Sequence, residues 1–404
     1  MSTPSAVRLQ RSRRSSRPPA IVTAAAALLA LGLAACGGED SGAGGGGTYK
    51  IGIFAPTTGF AASDGKSAVN SAKLAVEKVN AAGGVQGKEL KLVVYDDASK
   101  PDQAATIAQK LVRQDNVDIA VSGSYSAQTR AAAPIFARSN KVMIAAYAVD
   151  PEITQVGEQI WRIGELASVQ GKVAGKLALD NLKGKKVAIL YVDNDFGTGL
   201  TKAFRDYVKQ NGGQIVSDSK YPLEEKDFRT VLGGIKAKSP DVLYAPGYYN
   251  NAADIANQAA ELGLKAQIVG VEGYDSPKLI DLAGKNAEGI IFTTELDRDS
   301  SNPAVKDFLS GYEKKTGVKA DAVGAETYDA VLLAAEALTR AGSSDAKRLV
   351  EGLKGVKALE GSVTGITGFS PQRNGIREGL AQVVKGGDFH RYATFRDPSL
   401  ITPP

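Results

Sequence analysis

Short runs of consecutive apolar residues alternate with longer amphipathic segments along most of the chain. The first apolar runs predict strands, and they are "YKIGIF" (49–54), "LKLVVY" (90–95), "VDIAVSG" (117–123) and "KVMIAA" (141–146). The segments between them predict helices at 66–81, 101–114 and 126–139, because their apolar residues recur at helical spacing. The first 150 residues therefore contain a repeating strand–helix unit.

The same alternation starts again near residue 168. It predicts helices at 168–182, 197–211, 226–238 and 250–262, and strands at 185–192, 213–217, 241–247, 266–272 and 289–294. Two further helices (302–316 and 322–341) and a hairpin (378–395) complete the pattern. Continuous apolar strands that alternate with helices are typical of parallel sheets covered on both faces. We therefore predict an α/β protein with two doubly wound parallel-sheet lobes.

This architecture carries an expectation about function. Ligands of open α/β sheets lie beyond the carboxyl ends of the strands. Two such sheets that face each other form a cleft, which a hinge motion can close around a small molecule. The pattern therefore favours the binding of a small ligand between two lobes.

The N-terminal segment has the pattern of an export signal. Residues 1–19 contain five arginines and no acid, and residues 20–35 are apolar but too short to span a membrane. "LAAC" ends at Cys36, which is the only cysteine of the chain, and it resembles a bacterial lipobox. We expect a signal peptide at 1–35, a lipidated Cys36 and a flexible tether to residue 47. A buried or catalytic thiol is the alternative, and the export route, Sec or twin-arginine, stays open.

Charge and composition exclude several classes of protein. Residues 1–35 hold five of the 49 Lys and Arg residues and none of the 44 Asp and Glu residues, so the rest of the chain is close to neutral. A neutral chain does not favour nucleic-acid binding. One cysteine and one histidine, His390, argue against a zinc site or a Ser–His nucleophile, and no cofactor is predicted. The acidic pairs Asp96-Asp97 and Asp193-Asp195 are interpreted as structural or rim carboxylates.

Several segments identify the chain as a member of a known family. "IGIFAPTTG", "AVEKVNAAGGVQGKELKLVVYDD", "FGTGLTKAF" and "AAELGLKAQIVGVEG" resemble periplasmic binding proteins of the branched-chain amino-acid type, over about residues 49–395. The resemblance implies a type I bilobed fold with three chain crossings, near 165–167, 294–296 and 369–373. One lobe would comprise 48–165 plus 296–370, and the other 166–295 plus 371–398.

The resemblance also implies a site for an amino acid. Its carboxylate would be held by Ser126, next to Ser124 and Tyr125 in the turn after the third strand, where a helix N-terminus favours an anion. Its ammonium group would be held by Glu272, which follows the strand "QIVGVE". The alternatives are that Ser126 is only an N-cap residue and that Glu272 is a solvated loop acid.

Aromatic residues close the cleft in this family, and here Tyr248 and Phe196 match two such positions; either could instead belong to the core. Three residues depart from the family pattern. Tyr147 and Val149 replace a small residue and a hydroxyl residue after the fourth strand, and Asp64 stands where an aromatic ring often covers the ligand. A branched-chain amino acid is the default ligand, and another amino acid, an amide, urea or a small organic acid is the alternative.

The resemblance predicts a function outside the cytoplasm. We expect a monomeric lipoprotein on the outer face of the cytoplasmic membrane that delivers a small ligand to the membrane subunits of an ABC importer. A sensor for a signalling partner is the second hypothesis. An enzyme is disfavoured by the sequence, and a repressor of the same fold would need a DNA-binding helix pair where this chain has its export signal.

Overall fold

The computed structural model describes residues 47–404, and its first sheet is entirely parallel. The strand order is β2-β1-β3-β4-β5. The strands are β1 (Thr48–Ala55), β2 (Glu89–Asp96), β3 (Ile119–Ser122), β4 (Met143–Ala145) and β5 (Ile160–Arg162). The predicted signal peptide, Cys36 and most of the tether lie outside the described residues.

The second sheet has seven strands in the order β14-β13-β10-β9-β8-β6-β7. Five of them are parallel, and the C-terminal hairpin is added antiparallel to β10. The remaining two strands, β11 and β12, form a separate two-stranded ribbon. The bounds are β6 (Lys186–Val192), β7 (Gln214–Tyr221), β8 (Val242–Tyr244), β9 (Gln267–Gly270), β10 (Ile291–Thr294), β11 (Gly368–Phe369), β12 (Gly375–Ile376), β13 (Gly379–Lys385) and β14 (Asp388–Phe395).

Helices connect the strands and cover the sheets. They are α1 (Ala62–Ala81), α2 (Pro101–Arg113), α3 (Ser126–Arg138), α4 (Glu152–Gln155), α5 (Ala167–Lys176), α6 (Asp195–Gln210), α7 (Arg229–Ala237), α8 (Tyr249–Leu262), α9 (Pro277–Ala283), α10 (Pro303–Thr316), α11 (Ala322–Ala341), α12 (Ala346–Lys354) and α13 (Pro398–Ile401). Within residues 47–404, none of the helices combines the length and the hydrophobicity needed to cross a bilayer.

Both faces of the first sheet are buried, as the continuous apolar strands predicted. Ile51 and Ile53 pack with α1 and α11 on one face, whereas Phe54 packs with α2 and α3 on the other. Because neighbouring residues of a strand point to opposite faces, a strand covered on both sides must be apolar throughout. The doubly wound α/β architecture is thereby confirmed.

The chain passes between the two sheets three times. It leaves the first sheet after β5, returns after β10 so that α10–α12 cover the first sheet, and leaves again before β13. The backbone N–H of Arg162 donates to the carbonyl of Arg373 at 3.1 Å, and Asn374 is bridged to Arg162. These contacts hold the β11–β12 ribbon against the first sheet, so they favour a third crossing a few residues later than 369–373.

The sequence prediction missed four helices, α4, α9, α12 and α13, and misjudged the limits of others. Helix α9 lies between the strands predicted at 266–272 and 289–294, and its seven residues are too few to show a helical period. The helix predicted at 226–238 begins at Arg229; before it, the Gln258 side chain donates to the carbonyl of Lys226 at 2.7 Å and accepts from the N–H of Phe228 at 2.6 Å.

Candidate functional site

The carboxyl ends of the strands carry every predicted binding residue. In the first sheet, the turn from β3 to α3 holds Ser124, Tyr125 and Ser126, and the segment after β4 holds Tyr147 and Val149. Asp64 lies in the first turn of α1. In the second sheet, the corresponding ends carry Phe196 at the start of α6, Tyr248 immediately before α8 and Glu272 after β9.

Aromatic rings bring these two sets of residues together. The ring of Tyr248 lies 4.6 Å from that of Tyr125, 5.0 Å from Phe196 and 5.6 Å from Phe60, measured between centroids. Tyr147 lies 5.8 Å from Tyr125. We call these five side chains the aromatic cluster. It joins the carboxyl ends of the two sheets, and we call the region between those ends the cleft.

Phe60 was not among the predicted site residues. The sequence analysis placed Asp64 at the position of the family's covering ring. The structure supplies a ring four residues earlier, in the segment that leads into α1. The signal was present in "TTGFAAS", where an aromatic residue precedes a helix that starts at the end of a strand.

On the first-sheet face of the cleft, the polar groups mostly bond to one another. The hydroxyl of Tyr125 donates to the Asp64 carboxylate at 2.5 Å, and the hydroxyl of Tyr147 donates to the carbonyl of Gly123 at 2.6 Å. The phenol group of Tyr147 therefore already donates its hydrogen within the protein. The hydroxyl of Ser124 is buried and has no hydrogen-bond partner in the described part of the chain.

Ser126 is the first helical residue of α3 and not its N-cap, so the N-cap alternative was wrong. The N-cap position belongs to Tyr125. The Ser126 hydroxyl accepts a hydrogen bond from the backbone N–H of Val149 at 3.1 Å. Ser126 thus ties the turn after β4 to α3, although the Val149 side chain has no hydroxyl to take part.

Burial alters the ionisation of Asp64. Removal from water, together with the nearby carboxylate of Asp321, raises the pKa of Asp64 to about 8, against the lowering effect of the Tyr125 hydroxyl. The Asp64 carboxyl is therefore mostly protonated at neutral pH. In that state it can also donate a hydrogen bond, which an ionised carboxylate cannot.

On the second-sheet face, Glu272 is almost fully buried, so it is not the solvated loop acid of the alternative. Its Oε2 atom has no hydrogen-bond partner among residues 47–404. The next residue packs closely against another segment: a Cβ at Gly273 would come within 2.3 Å of the carbonyl oxygen of Gly247, in the segment before α8. Burial, followed by the neighbouring Glu295, raises the pKa of Glu272 well above its usual range.

Glu272 belongs to a group of buried glutamates that the sequence analysis did not predict. We define the glutamate cluster as Glu165, Glu272, Glu295 and Glu326, with Gln170 and Arg377 beside them. Glu165 follows β5, Glu295 follows β10 and Arg377 follows β12, so the three crossing segments each contribute one residue. The sequence signal was weak, because these residues are far apart in the chain.

Few of the polar atoms in the glutamate cluster are paired. Gln170 Nε2 donates to Glu295 at 3.1 Å, and Arg377 Nη1 lies 3.9 Å from Glu326 Oε1. Burial and the charge of Glu295 raise the pKa of Glu165 to about 8. Burial raises that of Glu295 to about 7, although Arg377 opposes this shift.

Ion pairs connect the two sheets at the rim of the cleft. Arg130 of α3 contacts Asp195 of α6, and it also lies 3.3 Å from Glu152 and 3.6 Å from Asp150. Asp193 pairs with Lys220 at 2.8 Å, and Asp96 accepts a hydrogen bond from the Thr58 hydroxyl at 2.5 Å. These contacts give the acidic pairs of the sequence structural partners.

The described residues offer little for a metal. Within 47–404, no three His, Cys, Asp or Glu side chains come close enough together to hold a metal ion. His390 lies in β14, where it is partly exposed, 3.3 Å from Asp299. A groove of about 600 Å³ lies elsewhere, along α5 and α6, and none of the predicted binding residues lines it.

Comparison with known proteins places this geometry in context. The family model described as periplasmic binding protein matches residues 48–387. The leucine-specific-binding protein of Salmonella typhimurium is 33% identical over 308 residues, which cover 76% of this chain and 82% of that protein.

Two solved structures have the same fold. The branched-chain amino acid transporter substrate-binding protein of Streptococcus pneumoniae, in complex with isoleucine, superposes with a TM-score of 0.80 at 30% identity, covering 86% of this chain and 99% of that one. A solute-binding protein of an ABC transporter from Rhodopseudomonas palustris, in complex with 3,4-dihydroxybenzoic acid, gives 0.80 at 27% identity, covering 87% and 99%.

Proposed function

The chain belongs to the periplasmic binding protein family, and on that premise we propose that it captures a small amine-bearing ligand in the cleft and delivers it to an ABC importer. The observation that carries the proposal is Glu272, a buried carboxylate with an unpaired oxygen at the carboxyl end of a parallel strand. A ligand ammonium group would supply the opposite charge that a buried carboxylate requires.

We propose an amino acid as the ligand, with a branched-chain amino acid as the default. The names of the similar leucine-binding and branched-chain-binding proteins support this class. The aromatic cluster offers apolar surface for a side chain, and rings lose little conformational entropy when they are ordered. Tyr147 and Val149 make the carboxylate end differ from the family pattern, so another amino acid, an amide or urea is the alternative.

A small aromatic acid is a second candidate, favoured by one observation. The aromatic cluster resembles a surface on which a benzoate ring could stack, and a similar protein is known in complex with 3,4-dihydroxybenzoic acid. The carboxyl groups of Asp64 and Glu272 do not exclude it, because burial raises the pKa of both and a protonated carboxyl does not repel an anion; binding of such an acid should instead weaken as the pH rises and these groups ionise.

We propose that the two lobes close on the ligand by a hinge motion. The lobes would be about 48–165 plus 296–370 and 166–295 plus 371–398, with the third boundary shifted towards β13. The Arg130–Asp195 pair and the Tyr125–Tyr248 contact would form on closure, because each joins elements of different sheets. The closed shape would then be what the membrane subunits recognise.

We propose that Cys36 carries the lipid anchor that holds the protein on the outer face of the cytoplasmic membrane. Two acyl chains give durable attachment, whereas one alone does not. Mass spectrometry of the native protein tests this directly. The expected N-terminus is an acylated Cys36, and a chain that begins upstream of it or lacks acyl mass would rule the anchor out.

Calorimetric titration tests the ligand class. The protein is first unfolded and refolded to remove bound ligand, and is then titrated with leucine, isoleucine, valine and alanine, followed by amides, urea and benzoates. Tight binding of an amino acid that is lost in Glu272→Gln is the expected result. Binding of a benzoate but of no amine would reject it.

Uptake separates transport from sensing. Deletion of the gene should abolish uptake of the bound ligand if the protein serves an importer. Unchanged uptake together with a lost cellular response would instead favour the sensor hypothesis.

A further inference from the structure

The glutamate cluster holds more hydrogen-bond acceptors than the protein itself satisfies. The acceptors without a partner among the described residues are Glu272 Oε2, Glu295 Oε2, Glu326 Oε2 and Gln170 Oε1. Gln170 is an uncharged side chain, so its buried carbonyl adds an observation that does not depend on the acidic residues. Such groups are costly to bury unless they receive hydrogen bonds.

The cluster also contains few positively charged groups. Four carboxyl groups face a single cation, Arg377. Its Nη2 donates to the carbonyl of Ile163, whereas its Nε and Nη1 have no hydrogen-bond partner among residues 47–404, so one guanidinium group offers two free donors to a larger number of unpaired acceptors. The charge of Glu295 raises the pKa of each of the other three carboxyl groups.

The arrangement suits an organic cation better than a metal ion. In the part of the chain that the structure describes, the carboxylates do not converge closely enough to bind a metal. Glu165 and Glu295 lie on two of the segments that cross between the sheets. Glu326 lies in α11, and Glu272 lies in the turn after β9. Guanidinium and ammonium groups present several donors over a comparable distance.

We infer that the glutamate cluster is a second cation subsite of the cleft, which binds a positively charged side chain of the ligand by means of Glu295, Glu326 and the Gln170 carbonyl. This inference rests on the proposed function, in which Glu272 holds the ligand's α-ammonium group. The ligand is then an amino acid with a basic side chain. The ammonium or guanidinium group of that side chain must lie close enough to the α-ammonium group for the ligand to contact both the glutamate cluster and Glu272.

Two isosteric pairs of ligands test the inference by calorimetry on the ligand-free protein. Ornithine and norleucine differ only in a terminal ammonium or methyl group, and arginine and citrulline differ only in a guanidinium or urea group. We expect the cationic member of at least one pair to bind at least about tenfold more tightly. Glu326→Gln should reduce that ratio about tenfold, while norleucine affinity and the ratio in the exposed control Glu360→Gln stay unchanged.

Proton release provides a readout that needs no variant. A cation beside the cluster lowers the pKa of its carboxyl groups, so cationic ligands should release protons near neutral pH, as measured in buffers with different ionisation heats. Binding of norleucine should release fewer protons than binding of the cationic ligands. Equal affinities within both pairs, or equal proton release, would overturn the inference and leave the proposed function standing. If none of the four ligands binds but leucine, isoleucine, valine or alanine does, the inference is overturned and the proposed function stands. If those amino acids also fail to bind, the amino-acid function itself is rejected.

Discussion

The polar groups on the two faces of the cleft differ in how far they are hydrogen-bonded within the protein. On the first-sheet face, the hydroxyls of Tyr125 and Tyr147 and the N–H of Val149 are bonded within the protein. On the second-sheet face, the carboxylate of Glu272 keeps an oxygen without a partner among residues 47–404, as do Glu295, Glu326 and Gln170 of the glutamate cluster.

This difference assigns separate roles to the two faces. A group that is already hydrogen-bonded gains little from a ligand, whereas an unpaired buried carboxylate gains a large part of its lost solvation from a cation. The second-sheet face should therefore supply most of the binding free energy. The first-sheet face should mainly set the shape of the pocket through its rings.

The largest expected effect is on ligand binding by Glu272→Gln. Loss of one partner from a buried charge pair costs about 3–5 kcal/mol, so affinity should fall by more than about a hundredfold. Calorimetry measures this, with the exposed Glu360→Gln as the matched control. A loss of less than about threefold would mean that the second-sheet face does not hold the ligand.

A smaller loss should follow from Tyr248→Ala, which removes the ring at the centre of the aromatic cluster. Its ring contacts Tyr125, Phe196 and Phe60, so its removal affects the surfaces of both faces. A buried aromatic anchor contributes about 2–4 kcal/mol to binding. The exposed Tyr392→Ala serves as control, and unchanged affinity in Tyr248→Ala would remove the aromatic cluster from the site.

The free energy of unfolding should depend on pH through buried carboxyl groups on both faces of the cleft. Asp64, with a pKa of about 8, and Glu295, with a pKa of about 7, hold protons that the unfolded chain releases near pH 4. Their contribution to stability is complete below about pH 4 and is lost as the pH rises through those folded-state values. The free energy of unfolding without ligand should therefore fall by on the order of 4 kcal/mol between pH 6 and pH 8.

Denaturant titrations at several pH values measure this profile. Asp64→Asn should remove the decrease in the free energy of unfolding that Asp64 causes on the first-sheet face. Glu295→Gln should remove the decrease that Glu295 causes in the glutamate cluster. A profile that rises with pH across this window would show that the buried carboxyls are ionised in the folded protein.

The smallest expected effect comes from the rim. Arg130→Ala removes the ion pairs with Asp195, Asp150 and Glu152, but the arginine side chain is 40% exposed. Exposed pairs contribute about 0.2–1 kcal/mol, so affinity should fall less than about fivefold, and less still at high salt. Lys220→Ala, which breaks a pair within the second sheet, should leave binding unchanged.

The sequence predicted the fold well because its signals are local. Apolar strands buried on both faces, such as "YKIGIF", need no knowledge of distant residues to be identified. Glu272 was assigned to the site only through the resemblance to a known family, and the strand predicted to include it ends two residues earlier, at Gly270. Periodicity failed where an element is short, as in α9.

The parts of the site that depend on long-range contacts could not be predicted. Glu165, Glu295 and Arg377 meet only because the chain passes between the sheets three times. The role of Ser126 depends on the backbone of one residue, which makes Tyr125 the N-cap and leaves the serine hydroxyl free to accept from Val149. Neither the meeting of these three residues nor the hydrogen bond of Ser126 can be predicted from the spacing of residues along the chain.

A crystal structure with the tightest-binding amine would test the central claim most directly. We predict that the ligand lies between the two sheets, with its ammonium nitrogen about 2.7–2.9 Å from a Glu272 oxygen and its carbon chain against Tyr248. A ligand bound along α5 and α6, or one that places its carboxylate rather than its ammonium group beside Glu272, would contradict the account.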